Sequence, residues 1–180
     1  ISETVVAALR AEMDKLLALG ADIPMCVHSA PTRVQGIGEI LTPIELPRLP
    51  ALLVNPRVEV STPSVFKALT SRSNPPMPAE LPSFLQAADL IDWLATQRND
   101  LQEAALRVEP VIGDVLARLS DLPGCRLARM SGSGATCFGL FDNDEALRAA
   151  TETLHETYPH WWKAGCFLGN QMQAVLPRET

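Results

Sequence analysis

Apolar residues recur along the chain at two spacings, and these predict the secondary structure. Spacing of three and four residues predicts amphipathic helices over about residues 5–17, 62–69, 85–97, 100–119 and 142–158. Short apolar runs predict strands over residues 25–28, 51–54, 125–130, 135–141 and 161–168, and residues 32–41 read as a hairpin around Gly36-Ile37-Gly38. Pro110 either kinks the fourth helix or begins a new one.

The order of these elements indicates an α+β fold. From residue 51 onward it is strand, helices, strand, strand, helix, strand. This is the β-α-β-β-α-β order of a ferredoxin-like sandwich with extra helices in the first crossover. A proline cluster at Pro43, Pro47 and Pro50 reads as a linker or domain crossing before it, and the proline-rich residues 71–82 read as an exposed loop.

Three helix starts carry capping signals. Ser61 or Thr62 before Pro63 fits an N-cap followed by proline in the first turn. Asp100 with Glu103, and Asp142 with Glu145, match the capping-box spacing.

Composition excludes several classes of partner. The 180 residues are 47% hydrophobic with a net charge of −6, which predicts a globular core and argues against nucleic-acid or polybasic membrane surfaces. No apolar run approaches the ~20 residues of a membrane helix. The four cysteines and three histidines are not spaced for zinc, so small buried thiols in a reducing cytoplasm are expected, with no metal site.

A run of small residues stands between the second and third predicted strands of residues 51–168. It comprises Ser131, Gly132, Ser133, Gly134 and Ala135, hereafter the glycine-rich loop. The glycines can take positive φ and gather backbone N–H groups into an anion nest, to which the serine hydroxyls would add donors. A plain tight turn joining two strands explains the same residues, and the pattern leaves both interpretations open.

Three other positions are ambiguous on the residues alone. Asp22, between Gly20 and Pro24, fits an Asx-turn or capping residue. His28 reads as a satisfied, partly buried histidine, and Phe66 as a core aromatic in a first helical turn.

Five motifs taken together resemble one family. They occur in order along the chain as LGADIP at 19–24, GIGE at 36–39, NP at 55–56 with STP at 61–63 and Phe66, NDL at 99–101, and SGSGATCF at 131–138. These motifs resemble the GHMP small-molecule kinases, and among them the family that phosphorylates 4-diphosphocytidyl-2-C-methyl-D-erythritol. The resemblance covers nearly the whole chain, from about Leu16 to Leu168.

The resemblance implies roles for particular residues. Asp22 would be the catalytic aspartate that accepts or polarises the proton of the attacking hydroxyl. Phe66 would stack on the cytosine of the substrate, with Thr62, Pro63 and His28 also binding substrate. The glycine-rich loop would lie against the phosphates. The implied partners are ATP with Mg²⁺ and a small cytidine diphosphate derivative, in the cytoplasmic non-mevalonate route to isoprenoids.

The chain also departs from the family pattern. It has no Gly-Gly-Gly-Ser-Ser run of the kind that grips ATP phosphates, and the one lysine before Asp22 is Lys15, inside a predicted helix. We therefore expect residues 1–47 to be the end of the ATP-binding domain, residues 48–180 to be the ferredoxin-like C-terminal domain, and the fragment to be inactive without its N-terminal half. The alternatives are a non-catalytic ligand-binding module on the same scaffold, or a GHMP kinase for another alcohol.

Overall fold

The computed structural model describes residues 15, 18–20, 22–28 and 30–169, and for residues 27 and 28 only the backbone. The helix predicted over residues 5–17 therefore lies almost entirely outside the described residues. The chain divides into two compact units, and Pro47–Leu168 makes up the second. The predicted assignment of residues 1–47 and 48–180 to two domains of a kinase stays a prediction.

The first unit contains a short helix and a hairpin. Helix α1 spans Ile23–His28, and strands β1 and β2 span Thr32–Gln35 and Ile40–Pro43. The strand predicted over residues 25–28 is wrong, because the Asp22 carbonyl accepts the amide of Cys26 at 3.1 Å and begins a helical turn. Periodicity cannot separate a short apolar strand from a short helix, and proline is tolerated in a first helical turn.

The predicted hairpin is confirmed. Strands β1 and β2 pair antiparallel, with Thr32 opposite Pro43 and Gln35 opposite Ile40. Gly36 closes the turn at φ +69°, where a side chain would overlap the Glu39 carboxylate. The positive φ favours glycine at that position, and the exposed Glu39 side chain occupies the space beside it.

The second unit is built on a four-stranded antiparallel sheet. Its strands are β3 (Leu49–Asn55), β4 (Cys125–Met130), β5 (Cys137–Phe141) and β6 (Trp162–Leu168), in the spatial order β4-β5-β3-β6. Every neighbouring pair is antiparallel. The predicted ferredoxin-like arrangement is therefore confirmed.

The proline cluster is only partly a linker. Pro43 is the last residue of β2 and Pro50 is the second residue of β3, so only residues 44–48 connect the strands. Pro50 is compatible with an inner strand because the register between β3 and β5 begins one residue later, at Ala51. Proline at the start of a strand costs no ladder hydrogen bond there.

Five helices complete the second unit. They are α2 (Thr62–Lys67), α3 (Ala87–Ala95), α4 (Gln102–Val108), α5 (Val111–Ser120) and α6 (Asp144–Thr157). Pro110 starts α5 rather than kinking α4, which settles the alternative left by the sequence. Residues 71–82 contain no helix or strand, as predicted.

Both predicted capping boxes are wrong. The N-cap of α6 is Asn143, whose Oδ1 accepts the amide of Ala146 at 2.9 Å. Asp142 instead accepts a hydrogen bond from Arg126 at 2.9 Å. Helix α4 has no side-chain cap at its N-cap residue Leu101. The Ser61 cap of α2 is confirmed, with Oγ accepting the Ser64 amide at 3.4 Å.

The core lies between one face of the sheet and helices α5 and α6. Leu52 of β3 and Phe141 of β5 are fully buried there with Ile112 and Leu119 of α5. A Cβ at Gly139 would lie 3.2 Å from Leu119, so a glycine lets α5 approach β5 closely. This packing fixes the ends of β4 and β5, from which the glycine-rich loop extends.

Candidate functional site

The glycine-rich loop is a closed connection between β4 and β5. The Ser131 amide donates to the Thr136 carbonyl at 2.8 Å, and the Gly134 amide donates to the Ser131 carbonyl at 3.0 Å. Gly132 and Gly134 have φ values of +54° and +92°. The positive φ angles expected from the sequence are confirmed. Because the amides of Ser131 and Gly134 are used inside the loop, an anion could draw only on other donors there.

The two glycines of the loop have different surroundings. A Cβ at Gly134 would lie 3.0 Å from both Ile112 Cδ1 and Met130 Sδ, inside the core. A Cβ at Gly132 would meet nothing within 4 Å. Gly134 therefore lets the loop pack on the core, whereas the space beside Gly132 is open to an approaching molecule.

Amide side chains from other segments hold the loop. Asn99 Nδ2 donates to the carbonyls of Met130 and Gly132, both at 2.9 Å. Gln102 Oε1 accepts the Met130 amide at 3.0 Å, and Asn55 Nδ2 donates to Thr136 Oγ1 at 2.9 Å. The sequence placed Asn55 and Asn99 only within family motifs and did not indicate this function. An asparagine directly after a strand or before a helix is the available signal, and it is equally typical of an ordinary turn.

A hydroxyl pair connects the loop to helix α2. Thr62 Oγ1 and Ser133 Oγ are 2.8 Å apart, close enough for a hydrogen bond in which either can donate. Both hydroxyls retain further hydrogen-bonding capacity, since each has one proton and two lone pairs. The structure thus brings together Thr62, predicted to bind substrate, and Ser133, predicted to lie near the phosphates.

Phe66 lies on the exposed surface of α2. Its side chain is 49% exposed, so the interpretation as a core aromatic is wrong. Thr62 and Phe66 are four residues apart on one helix and therefore share a face. Pro63, also exposed, is in the first turn. An open aromatic ring one turn from a hydroxyl pair is a suitable platform for a planar base.

The remaining predicted site residues belong to the first unit. Asp22 is exposed and directly precedes α1. The side chain of His28 is outside the described residues. The predicted grouping of Asp22 and His28 with Phe66 and the glycine-rich loop therefore stays a prediction.

Burial governs the ionisation of the cysteines in the second unit. Desolvation raises the pKa of Cys137, the first residue of β5, to about 12, and also raises the pKa values of Cys125 and Cys166. The expectation that all four cysteines are buried is wrong for Cys26, which is exposed. In the part of the chain that the structure describes, no three His, Cys, Asp or Glu side chains are grouped to hold a metal ion.

Two open clefts lie beside residues 98–100, which include Asn99. Their volumes are about 240 and 380 Å³, and Asn74, Arg98 and Asp100 line both. Neither is lined by Thr62, Phe66 or the glycine-rich loop. Within the described residues, no helix is long and apolar enough to cross a bilayer.

Comparison with known proteins identifies the family. Residues 81–160 match the family model described as GHMP kinases C terminal. The chain is 53% identical over 165 residues to the 4-diphosphocytidyl-2-C-methyl-D-erythritol kinase of Roseobacter denitrificans, covering 91% of this chain and 55% of that protein. The chain belongs to the GHMP kinases. The enzyme of the same name from Dinoroseobacter shibae is 56% identical over 156 residues, covering 86% of this chain and 54% of the relative.

Solved structures agree with this family. A crystal structure of 4-(cytidine 5'-diphospho)-2C-methyl-D-erythritol kinase aligns with a TM-score of 0.66 and 30% identity, covering 92% of this chain and 62% of that one. Homoserine kinase from Cytophaga hutchinsonii shares the fold, at a TM-score of 0.57 and 17% identity over 83% of this chain and 51% of its own. The chain spans about half the length of the curated relatives it matches.

Proposed function

We propose that this GHMP kinase chain is the C-terminal part of an enzyme that phosphorylates a hydroxyl of 4-diphosphocytidyl-2-C-methyl-D-erythritol with ATP in non-mevalonate isoprenoid synthesis. The observation that carries the proposal is 53% identity to a kinase of that name over 91% of the chain. The exposed Phe66 and the hydroxyl pair of Thr62 and Ser133 support it, because they offer surfaces for a base and for polar groups.

The surface of α2 binds the cytidine moiety in this proposal. Phe66 stacks on the cytosine with its exposed ring, and aromatic–base stacking contributes about 1–3 kcal/mol. Pro63, in the first turn of the same helix, bounds the platform. Thr62 presents its hydroxyl to the substrate while it bonds Ser133. The same hydrogen bond joins helix α2 to the glycine-rich loop.

The glycine-rich loop faces the diphosphate. Gly132 is exposed with open space beside it, which allows a close backbone approach that a side chain would block. The hydroxyls of Ser131 and Ser133 add donors at the same edge. Gly134 keeps the loop packed on the core and does not contact substrate.

Asp22 accepts or polarises the proton of the attacking hydroxyl, and His28 binds substrate beside it. An exposed carboxylate in a short, hydrogen-bonded turn is accessible to a substrate hydroxyl. The chain has no Gly-Gly-Gly-Ser-Ser run for the ATP phosphates. We therefore assign the binding of the ATP phosphates to the N-terminal part of the enzyme, and expect the 180 residues alone to transfer no phosphate.

Transfer of the γ-phosphate of ATP to the cytidine substrate tests the proposal. In the enzyme with its N-terminal part, Asp22→Asn should lower kcat by at least about a thousandfold, since the amide cannot accept the proton. Asp89→Asn, at an exposed position on α3, is the matched control and should leave kcat unchanged.

Three outcomes would contradict the proposal. Full activity in the Asp22→Asn enzyme would remove Asp22 from the catalytic role. Tight calorimetric binding of the cytidine substrate without nucleotide dependence or turnover would instead favour a non-catalytic binding module. Efficient phosphorylation of another alcohol, uncompeted by the cytidine compound, would indicate a different GHMP kinase activity.

A further inference from the structure

Asn99 makes three hydrogen bonds with one side chain. Its Nδ2 donates to the carbonyls of Met130 and Gly132, each at 2.9 Å. Its Oδ1 accepts the amide of Leu101 at 3.0 Å. Both amide protons and the carbonyl oxygen are therefore engaged, which fixes the orientation of the side chain.

The two bonded carbonyls flank Ser131. Met130 ends β4, and Gly132 has the positive φ that turns the chain toward Ser133. One amide group thus holds the backbone on both sides of the first residue of the glycine-rich loop. Ser133, next in the chain, meets Thr62 at 2.8 Å.

Packing does not fix this part of the loop. Ser131 and Gly132 are exposed, and nothing lies within 4 Å of the position that a Cβ on Gly132 would occupy. By contrast, Gly134 and Ala135 pack on the core. Hydrogen bonds therefore hold the exposed half of the loop, and those from Asn99 add to the backbone bonds of Ser131 and the Thr62–Ser133 pair.

From this geometry we propose that Asn99 is a positioning residue that holds Ser131–Ser133 in place for phosphoryl transfer without touching the substrate. The inference rests on the proposed kinase function. It assigns to Asn99 an effect on the rate of transfer, because a displaced loop misplaces the phosphate-facing groups. It predicts little effect on cytidine binding at Phe66.

The decisive variant is Asn99→Asp. Aspartate keeps an oxygen for the Leu101 amide. It replaces Nδ2, which donates two hydrogen bonds, by a second oxygen that repels the carbonyls of Met130 and Gly132. We expect kcat to fall at least about tenfold while KM for the cytidine substrate changes less than about twofold. Asn99→Ala, which loses all three bonds, should lower kcat by at least as much.

Asn143→Ala is the matched control. Asn143 is also an asparagine that accepts an amide at a helix start, but it lies at α6, away from the loop. It should lower the melting temperature and leave kcat within about twofold. Equal kcat losses in Asn143→Ala and Asn99→Asp at matched melting temperatures would show a merely structural role and overturn the proposal, as would an unchanged kcat in Asn99→Asp.

Hydrogen exchange provides a readout that does not need activity. The amides of Ser131 and Gly134 are bonded within the loop and report on its order. In Asn99→Asp the Ser131 amide should exchange at least about tenfold faster, with the β3–β5 ladder unchanged. An unchanged exchange rate of the Ser131 amide in Asn99→Asp would overturn the positioning role, whether or not the wild type is a kinase. Faster exchange in the variant together with an inactive wild type would contradict only the proposed function.

Discussion

Replacing Gly134 by alanine tests whether the glycine-rich loop is fixed to the core at this position. The residue has φ +92°, and a Cβ there would lie 3.0 Å from Ile112 Cδ1 and from Met130 Sδ. Positive φ costs an L-residue about 1–2 kcal/mol, and inserting a methyl group into a packed core costs about 1–3 kcal/mol. Ile112 and Met130 are 0% and 1% exposed, so neither can move into solvent.

We therefore expect Gly134→Ala to lower the free energy of unfolding by about 2–5 kcal/mol. At about 2–4 °C per kcal/mol for a chain of this size, the melting temperature should fall by roughly 4–20 °C. Gly132→Ala is the matched control: it shares the positive φ but meets nothing within 4 Å, so it should cost only about 1 kcal/mol. Circular dichroism during heating and in urea measures both.

A double-mutant cycle isolates the steric contact. Ile112→Val removes the Cδ1 atom that the new methyl group would approach. In that background Gly134→Ala should cost about 1 kcal/mol less than in the wild type. If Gly134→Ala were as stable as Gly132→Ala, or if the cycle showed no coupling, the loop would not be packed on the core as described.

Two further predictions concern substrate binding and thiol chemistry. Phe66→Ala should raise KM for the cytidine substrate at least about tenfold because stacking is lost, and Phe66→Trp should restore it. Since Phe66 is 49% exposed, the free energy of unfolding of Phe66→Ala should fall by only about 1 kcal/mol. An unchanged KM in Phe66→Ala would reject the stacking role. Iodoacetamide at pH 8 should label exposed Cys26 first and Cys137 last, because a pKa of about 12 leaves about one Cys137 thiol in 10,000 ionised. Mass spectrometry of the digested protein gives the order of labelling. Early labelling of Cys137 would contradict its burial.

Most of the described elements were predictable from local pattern. The strands, the hairpin and the Ser61 cap all have periodicity or turn chemistry confined to a few neighbouring residues. The strand predicted over residues 25–28 failed because a six-residue segment with four apolar residues and one proline fits a helix equally well. The capping boxes failed because Asp142 is used by Arg126 of another strand, an interaction with no local signal.

The sequence by itself determined the order of elements and the family, and it singled out Asp22, Phe66 and the glycine-rich loop as candidate site residues. Each of these inferences depends on residues close together in the chain. Only the tertiary structure decided that Phe66 is exposed and that Thr62 meets Ser133. It also decided that Asn99, thirty-one residues before Met130, holds the loop. Such contacts follow from how strands and helices pack. Of the two interpretations that the sequence left open, the hydrogen bonds inside the loop show the tight turn, and the anion nest stays a prediction.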